Sequence, residues 1–192
     1  LIFVSAIAAG GFALTYLFED DEPLLWRFSA GAVIGSAVFG VVSLLVAMAA
    51  GLNAGTVAAA LAITLLPIGL LLRGERNRRL LRDWQRAKGK LQGASSVKAL
   101  RFLYYAAFLL LFILFFGQTM YETDQGIFTG GSNNLGDLPF HLGAILSFTD
   151  GANMPPINPS FAGARFSYPF VADLLTACFM KLAAPLRDAM VV

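Results

Sequence analysis

The sequence predicts an all-α membrane protein: a polytopic bundle of about five transmembrane helices, with one further helix at the membrane interface in an outer loop. Three observations predict it. Hydrophobic residues make up 57% of the chain and charged residues 14%, where a soluble domain carries roughly 25% charged residues. The apolar residues fall in blocks long enough to cross ~30 Å of hydrocarbon at ~1.5 Å per residue. Strictly alternating segments of ~10 residues, which a β-barrel would need, are not found.

The first predicted span runs over residues 1–18. A secretory signal peptide is the alternative there, but no basic region precedes the apolar run. The second span runs over about 28–50. It contains Gly31, Gly35 and Gly40, and the Gly31/Gly35 pair lets another helix backbone approach closely. Intramolecular packing is the favoured use of that pair over dimerisation. The third span, about 54–72, contains Pro67, which removes one backbone donor and predicts a kink. The fourth covers about 102–120 and the fifth about 166–184. Apolar runs reach both termini, so the chain is expected to be a piece of a longer protein. The organisation is then three N-terminal spans (1–72), a basic loop (73–101), and two spans (102–192) enclosing an outer loop (about 121–165).

The charges orient this bundle. Ten of the fourteen Lys and Arg residues lie between Arg73 and Arg101, with only Glu75 and Asp83 as acids. Such a run can mark a nucleic-acid binder. Between spans it marks a cytoplasmic loop beside anionic headgroups, and no nucleic-acid partner is expected. Residues 121–165 are then extracytoplasmic, and the fifth span brings Lys181 and Arg187 back to the cytoplasmic end. Lys181 is expected to snorkel to the headgroups there. The acidic turn Glu19-Asp20-Asp21-Glu22 falls on the cytoplasmic side, which the rule permits because acids weigh little in it.

The outer segment carries the candidate chemistry. Gly130-Gly131-Ser132-Asn133-Asn134 reads as a loop. A helix follows over about 138–149, with Asp137 as its N-cap and Pro139 in its first turn. Leu138, Leu142 and Ile145 share one face of this helix, which suits a position in the interface. The run Asn153-Met154-Pro155-Pro156-Ile157-Asn158-Pro159 reads as rigid and extended. Asp137 and His141 lie four apart and so on one helical face. A carboxylate and an imidazole there can do general-base work or bind phosphate or a metal ion, and they can equally be a helix cap and an interfacial side chain. Asp173, near the middle of the fifth span, is costly in lipid and is expected to face a protein interior or a wet cavity, as a functional group or as a buried hydrogen-bond partner. The single Cys178 reads as a small buried apolar residue. One Cys and one His exclude a structural zinc site, no metal ligands are assigned, and a divalent metal cofactor, though not indicated by the sequence, stays open. No phosphate-binding glycine loop, Ser-His-Asp set or dinucleotide fingerprint is present.

Gly136-Asp137-Leu138-Pro139-Phe140-His141-Leu142, followed by Ser147-Phe148, Asn153, Pro155-Pro156, Asn158-Pro159, Gly163 and Tyr168-Pro169-Phe170 with Asp173, resembles the first outer loop and following span of bacterial GT-C-type membrane glycosyltransferases. The resemblance covers about residues 100–185. It implies an inverting enzyme of the bacterial inner membrane that takes a sugar from a polyprenyl-phosphate donor on the extracytoplasmic side. By resemblance, Asp137 is the catalytic base, although Leu138 stands where such enzymes commonly have a second acid. His141 and Arg165 are then candidates for binding the donor phosphate. The alternative is a non-catalytic transmembrane subunit of a larger complex, and a weaker one is a transporter with Asp173 on a proton path.

Overall fold

The architecture comes from a computed structural model that describes residues 2–18, 21–72, 74–91, 96–130 and 136–191. Glu19, Asp20, Arg73 and the Gly131–Asn134 part of the expected loop lie outside the described residues. Among the described residues, three helices are long and apolar enough to cross a membrane: Leu24–Ala50, Ala54–Leu71 and Ala99–Thr119. They mark a multi-pass membrane protein, with three spanning helices where about five were expected.

The first helix, α1 (Ile2–Thr15), is apolar but has 14 residues, about 21 Å at 1.5 Å per residue. Helix α2 (Leu24–Ala50) starts after Pro23 and stops at Gly51, whose φ of +74° suits glycine and ends the helix. Asn53 then caps α3 (Ala54–Leu65). Its side chain accepts from Thr56 N at 3.0 Å, while the Thr56 hydroxyl accepts from Asn53 N at 2.9 Å. At Pro67 the third span tightens into a 3₁₀ segment over Leu66–Leu71, the local answer to the missing N–H.

The basic segment is not a loop. Residues Gly74–Leu91 form α4, an amphipathic helix that holds seven of the ten basic residues of that segment. Helix α5 (Ser96–Thr119) follows, and none of the side chains in its apolar stretch is buried within the protein. The all-α expectation is corrected by a hairpin, β1 (Met120–Thr123) with β2 (Gly126–Thr129), antiparallel with Thr123 opposite Gly126. Tyr121 and Phe128 stack across it at 5.7 Å between ring centroids, the kind of cross-strand pair that stabilises a hairpin.

Helix α6 (Asp137–Thr149) buries Ala144, Ile145, Phe148 and Thr149 against the rest of the protein. The run after it is folded back, not extended. Asn153 accepts from Ile157 N at 3.0 Å and donates to Ile157 O at 2.8 Å, and Ile157 bridges to Arg165. The Met154–Pro155 bond is cis.

The predicted fifth span is also corrected. Only Val171–Lys181 (α7, 11 residues) is helical, about 16 Å long and too short to cross ~30 Å. Pro169 stands just before it, and Ala183 at φ +66° and Pro185 follow it. Lys181 does not snorkel; it donates to Thr149 O at 2.6 Å and closes the C-terminal end of α6. Arg187, at the start of α8 (Leu186–Val191), donates to Met120 O at 3.2 Å at the end of α5. Between α5 and α8, no helix among the described residues is long enough to cross.

Packing of α1 on α2 is close enough to bring backbone to backbone. A Cβ on Gly31 would sit 2.6 Å from the Cα of Phe12. One on Gly11 would overlap Gly31 O and the Gly35 backbone, and one on Gly35 would overlap Ile7 O. The small-residue pair thus serves intramolecular packing. Around this contact, α7 crosses the far half of α2, where Gly40 admits Val171. Phe3 packs on both Phe39 and Phe179 at 5.2 and 5.1 Å. The core joins α1, α2, α3, α6 and α7.

The opposite end is held by charge. Arg27, 1% exposed, makes an ion pair with Asp83 of α4 at 3.4 Å, donates to Thr15 O at 2.8 Å and lies 4.4 Å from the Tyr16 ring centroid. The Tyr16 hydroxyl donates to Asp83 at 3.1 Å. Burial, and then the Asp83 carboxylate, hold the Tyr16 phenol well above its ordinary pKa, so it stays a donor at any physiological pH. Since α4 docks at the end of α1 and the start of α2 while α6 and α7 pack at their other ends, the basic helix and the α6–α7 unit occupy opposite ends of the bundle.

Two outcomes follow. Gly31→Val should cost at least about 1–3 kcal/mol through overpacking and lower the melting temperature in detergent. Gly117→Ala, where a new Cβ meets nothing within 4 Å, should leave it unchanged or slightly raised. Equal melting of the two variants would refute the backbone contact. Asp83→Asn should destabilise by up to about 3 kcal/mol by removing the carboxylate charge that faces the buried Arg27 guanidinium, and the paired change Arg27→Met with Asp83→Leu should recover part of that loss in the same melts.

Candidate functional site

The candidate site forms where α6 and the start of α7 meet. Asp137 is the first residue of α6, but it is not the cap: Gly136 holds that position without a side-chain bond. Asp137 is exposed and makes no hydrogen bond or ion pair among the described residues, so its carboxylate is available to other groups. One turn on, on the same face, stands His141.

His141 has a partner that spacing did not reveal. Its Nδ1 lies 2.8 Å from Oδ1 of Asp173, across 32 residues of chain. The Asp173 side chain is 7% exposed and that of His141 32% exposed. Asp173 occupies the first turn of α7, where the positive end of the helix dipole favours a carboxylate. Burial raises its carboxyl above the usual range, and the hydrogen bond to His141 opposes that rise. The second oxygen, Oδ2, is buried without a hydrogen bond among the described residues, which deepens the cost of keeping the group ionised.

When Asp173 is ionised its carboxylate can only accept, so the proton in this bond then belongs to Nδ1. The neutral imidazole then presents the Nε2 lone pair on the half-exposed side of the ring. That is the arrangement of an oriented base; once Nε2 is protonated as well, the same ring becomes a donor to a phosphate oxygen. The ring is braced by aromatics: Phe140 at 5.6 Å and Tyr168 at 5.8 Å, with Phe140 and Tyr168 at 4.8 Å from each other. Phe166 and Phe170 stack at 5.0 Å and join the wall to Phe148 in the core.

Of the four predicted residues, His141 and Asp173 are thus brought into contact, and Asp137 lies one turn from them on the α6 face. Arg165 is exposed on the segment leading to Tyr168 and makes its backbone bridge to Ile157, with no contact to His141. Among the described residues no three of His, Cys, Asp and Glu converge as a metal site would require.

No family model, no curated protein and no solved structure matches this chain. The site's chemistry is therefore read from its own geometry.

The single histidine of the chain makes this geometry measurable. In the ¹⁵N-histidine spectrum of the purified protein, the neutral ring should carry its proton on Nδ1. Asp173→Ala should return it to the Nε2–H tautomer that free imidazole prefers. An Nε2–H ring in the unsubstituted protein would contradict the assignment.

Proposed function

We propose that this chain is part of an integral membrane glycosyltransferase that transfers a sugar from a polyprenyl-phosphate donor to an acceptor, on the side of the membrane opposite α4. The observation that carries the reading is the buried Asp173 holding His141 one turn from the unengaged Asp137. The site lies at the end of the bundle away from the basic helix, the end that the positive-inside rule would place outside the cytoplasm.

In this reading Asp137 takes the proton of the acceptor hydroxyl as its oxygen attacks the anomeric carbon. The bond from that carbon to the phosphate oxygen breaks, and the electron pair leaves with the polyprenyl phosphate. His141, protonated so that Nε2 donates while Nδ1–H stays on Asp173, and Arg165 would meet the charge growing on the phosphate. Asp173 is the positioning residue that orients His141. A donor confined to the bilayer suits a site at its surface, and the wall of Phe140, Tyr168 and Phe166 offers an apolar flank for the first isoprene units or a sugar face.

A second reading has one observation in its favour. Helix α5 buries none of its apolar stretch within the protein, as expected of a helix packed on another subunit as well as of one facing lipid. Co-purification in fixed ratio with other membrane chains, without transfer activity, would select this non-catalytic reading.

In proteoliposomes given a panel of tritiated polyprenyl-phosphate hexoses, Asp137→Asn should lower transfer by about 10²–10⁴-fold, the usual worth of a general base. His141→Ala should mainly raise the donor KM. Transfer by Asp137→Asn at the unsubstituted rate would remove that residue from the mechanism.

A further inference from the structure

Helix α4 has a face that the bundle does not use. Arg79, Asp83 and Arg86, at i, i+4 and i+7, point one way: Arg79 donates to Phe18 O at 3.2 Å, Asp83 meets Arg27 and Tyr16, and Arg86 pairs with Asp21 at 3.4 Å. These partners lie at the end of α1, the start of α2 and the turn between them. A helix fastened along two turns to those ends lies across the end of the bundle instead of continuing a span. In sequence it follows the spanning helix Ala54–Leu71, and Leu72, just past the end of that helix, is 70% exposed.

The remaining surface of α4 combines two chemistries. Leu80 is packed against the cluster of Ala13, Tyr16 and Leu71. The apolar stripe continues past it to Leu81 and Trp84, which are 53% and 51% exposed. Arg78, Arg82 and Lys88 flank these two side chains and are themselves exposed. None of the three makes a hydrogen bond or ion pair among the described residues. Two large apolar groups on a water-facing helix lose hydrophobic stabilisation, whereas at a bilayer surface they enter the acyl boundary and the cations reach the phosphates.

We propose that this face of α4 is a docking surface for anionic phospholipid, with Leu81 and Trp84 inserted at the acyl boundary and Arg78, Arg82 and Lys88 holding the headgroup phosphates. Charge complementarity and direct continuity with a membrane span select lipid as the occupant. A tryptophan suits such a boundary, where an indole keeps its apolar body inward and its N–H toward water. Each cation near an anionic surface enriches its lipids about fivefold, so three together give a strong preference. The inference is independent of the transferase reading, because it concerns the opposite end of the molecule.

The chain has two tryptophans, and Trp26→Phe leaves Trp84 as the sole reporter. The full chain carrying that change is reconstituted in vesicles containing either brominated phosphatidylglycerol or brominated phosphatidylcholine at the same mole fraction. Trp84 fluorescence should be quenched at least about twofold more by the brominated anionic lipid. The excess should shrink in 0.5 M salt, as phosphate contacts are screened, and vanish in Arg78→Gln/Arg82→Gln/Lys88→Gln. Should Trp26→Phe fail to fold, the difference between the unsubstituted protein and Trp84→Phe yields the same signal. No quenching by either lipid overturns the proposal, and so does equal quenching by both. A face covered by a partner protein would give the first of those results.

Discussion

The backbone contact between α1 and α2 is the constraint on which the other packing depends. Gly11, Gly31 and Gly35 let the two helices meet without side chains between them, and lipid supplies no hydrophobic drive to hold helices apart or together. Close approach instead gains dispersion contacts along the whole seam. It also fixes what the two ends of the pair present. At one end Tyr16 and Arg27 come together as a buried socket for Asp83. At the other, Phe3 and Phe39 form the platform on which Phe179 rests.

Each end then uses a buried carboxylate for a different purpose. Asp83 is surrounded by a guanidinium and a phenol donor, so its charge is compensated and its role is to fasten α4. Asp173 has a single partner, the half-exposed His141, and one oxygen with none among the described residues. A carboxylate so incompletely satisfied is a poor structural fastener and a good device for setting the tautomer of an imidazole. That contrast is the physical reason for placing chemistry at the α6–α7 end and lipid recognition at the α4 end.

Much of this could be read along the chain, and the failures share one cause. The second and third spans, the role of Gly31 and Gly35 and the disturbance at Pro67 were legible because they rest on local rules: span length, small-residue spacing and the missing proline N–H. The helical character of α4 was hidden by attention to its charge, although Leu80, Leu81, Trp84 and Ala87 recur at helical spacing. Arg27, just outside the expected start of the second span, and Asp83, an acid within a basic run, were the available signals of the charged socket. The supposed fifth span failed because an apolar run with Pro169 before it and Pro185 after it has the composition of a span, while only 11 residues between those prolines are helical. Asp173 was flagged as costly, and His141 as chemically suggestive, but their pairing joins residues 32 apart and no periodicity carries that information.

By itself, then, the sequence determined that this protein crosses a membrane several times, that its charge gathers in one segment, and that Asp137, His141 and Asp173 were the residues to watch. These are properties of composition and of spacing within one or two helical turns. Only the tertiary structure decided that the basic segment is a helix fastened to Arg27 and Tyr16, that Lys181 and Arg187 close helix ends instead of meeting headgroups, and that Asp173 pairs with His141. Those outcomes depend on which helix ends meet in space, and that is set by the glycine seam between α1 and α2 together with the short reach of α7.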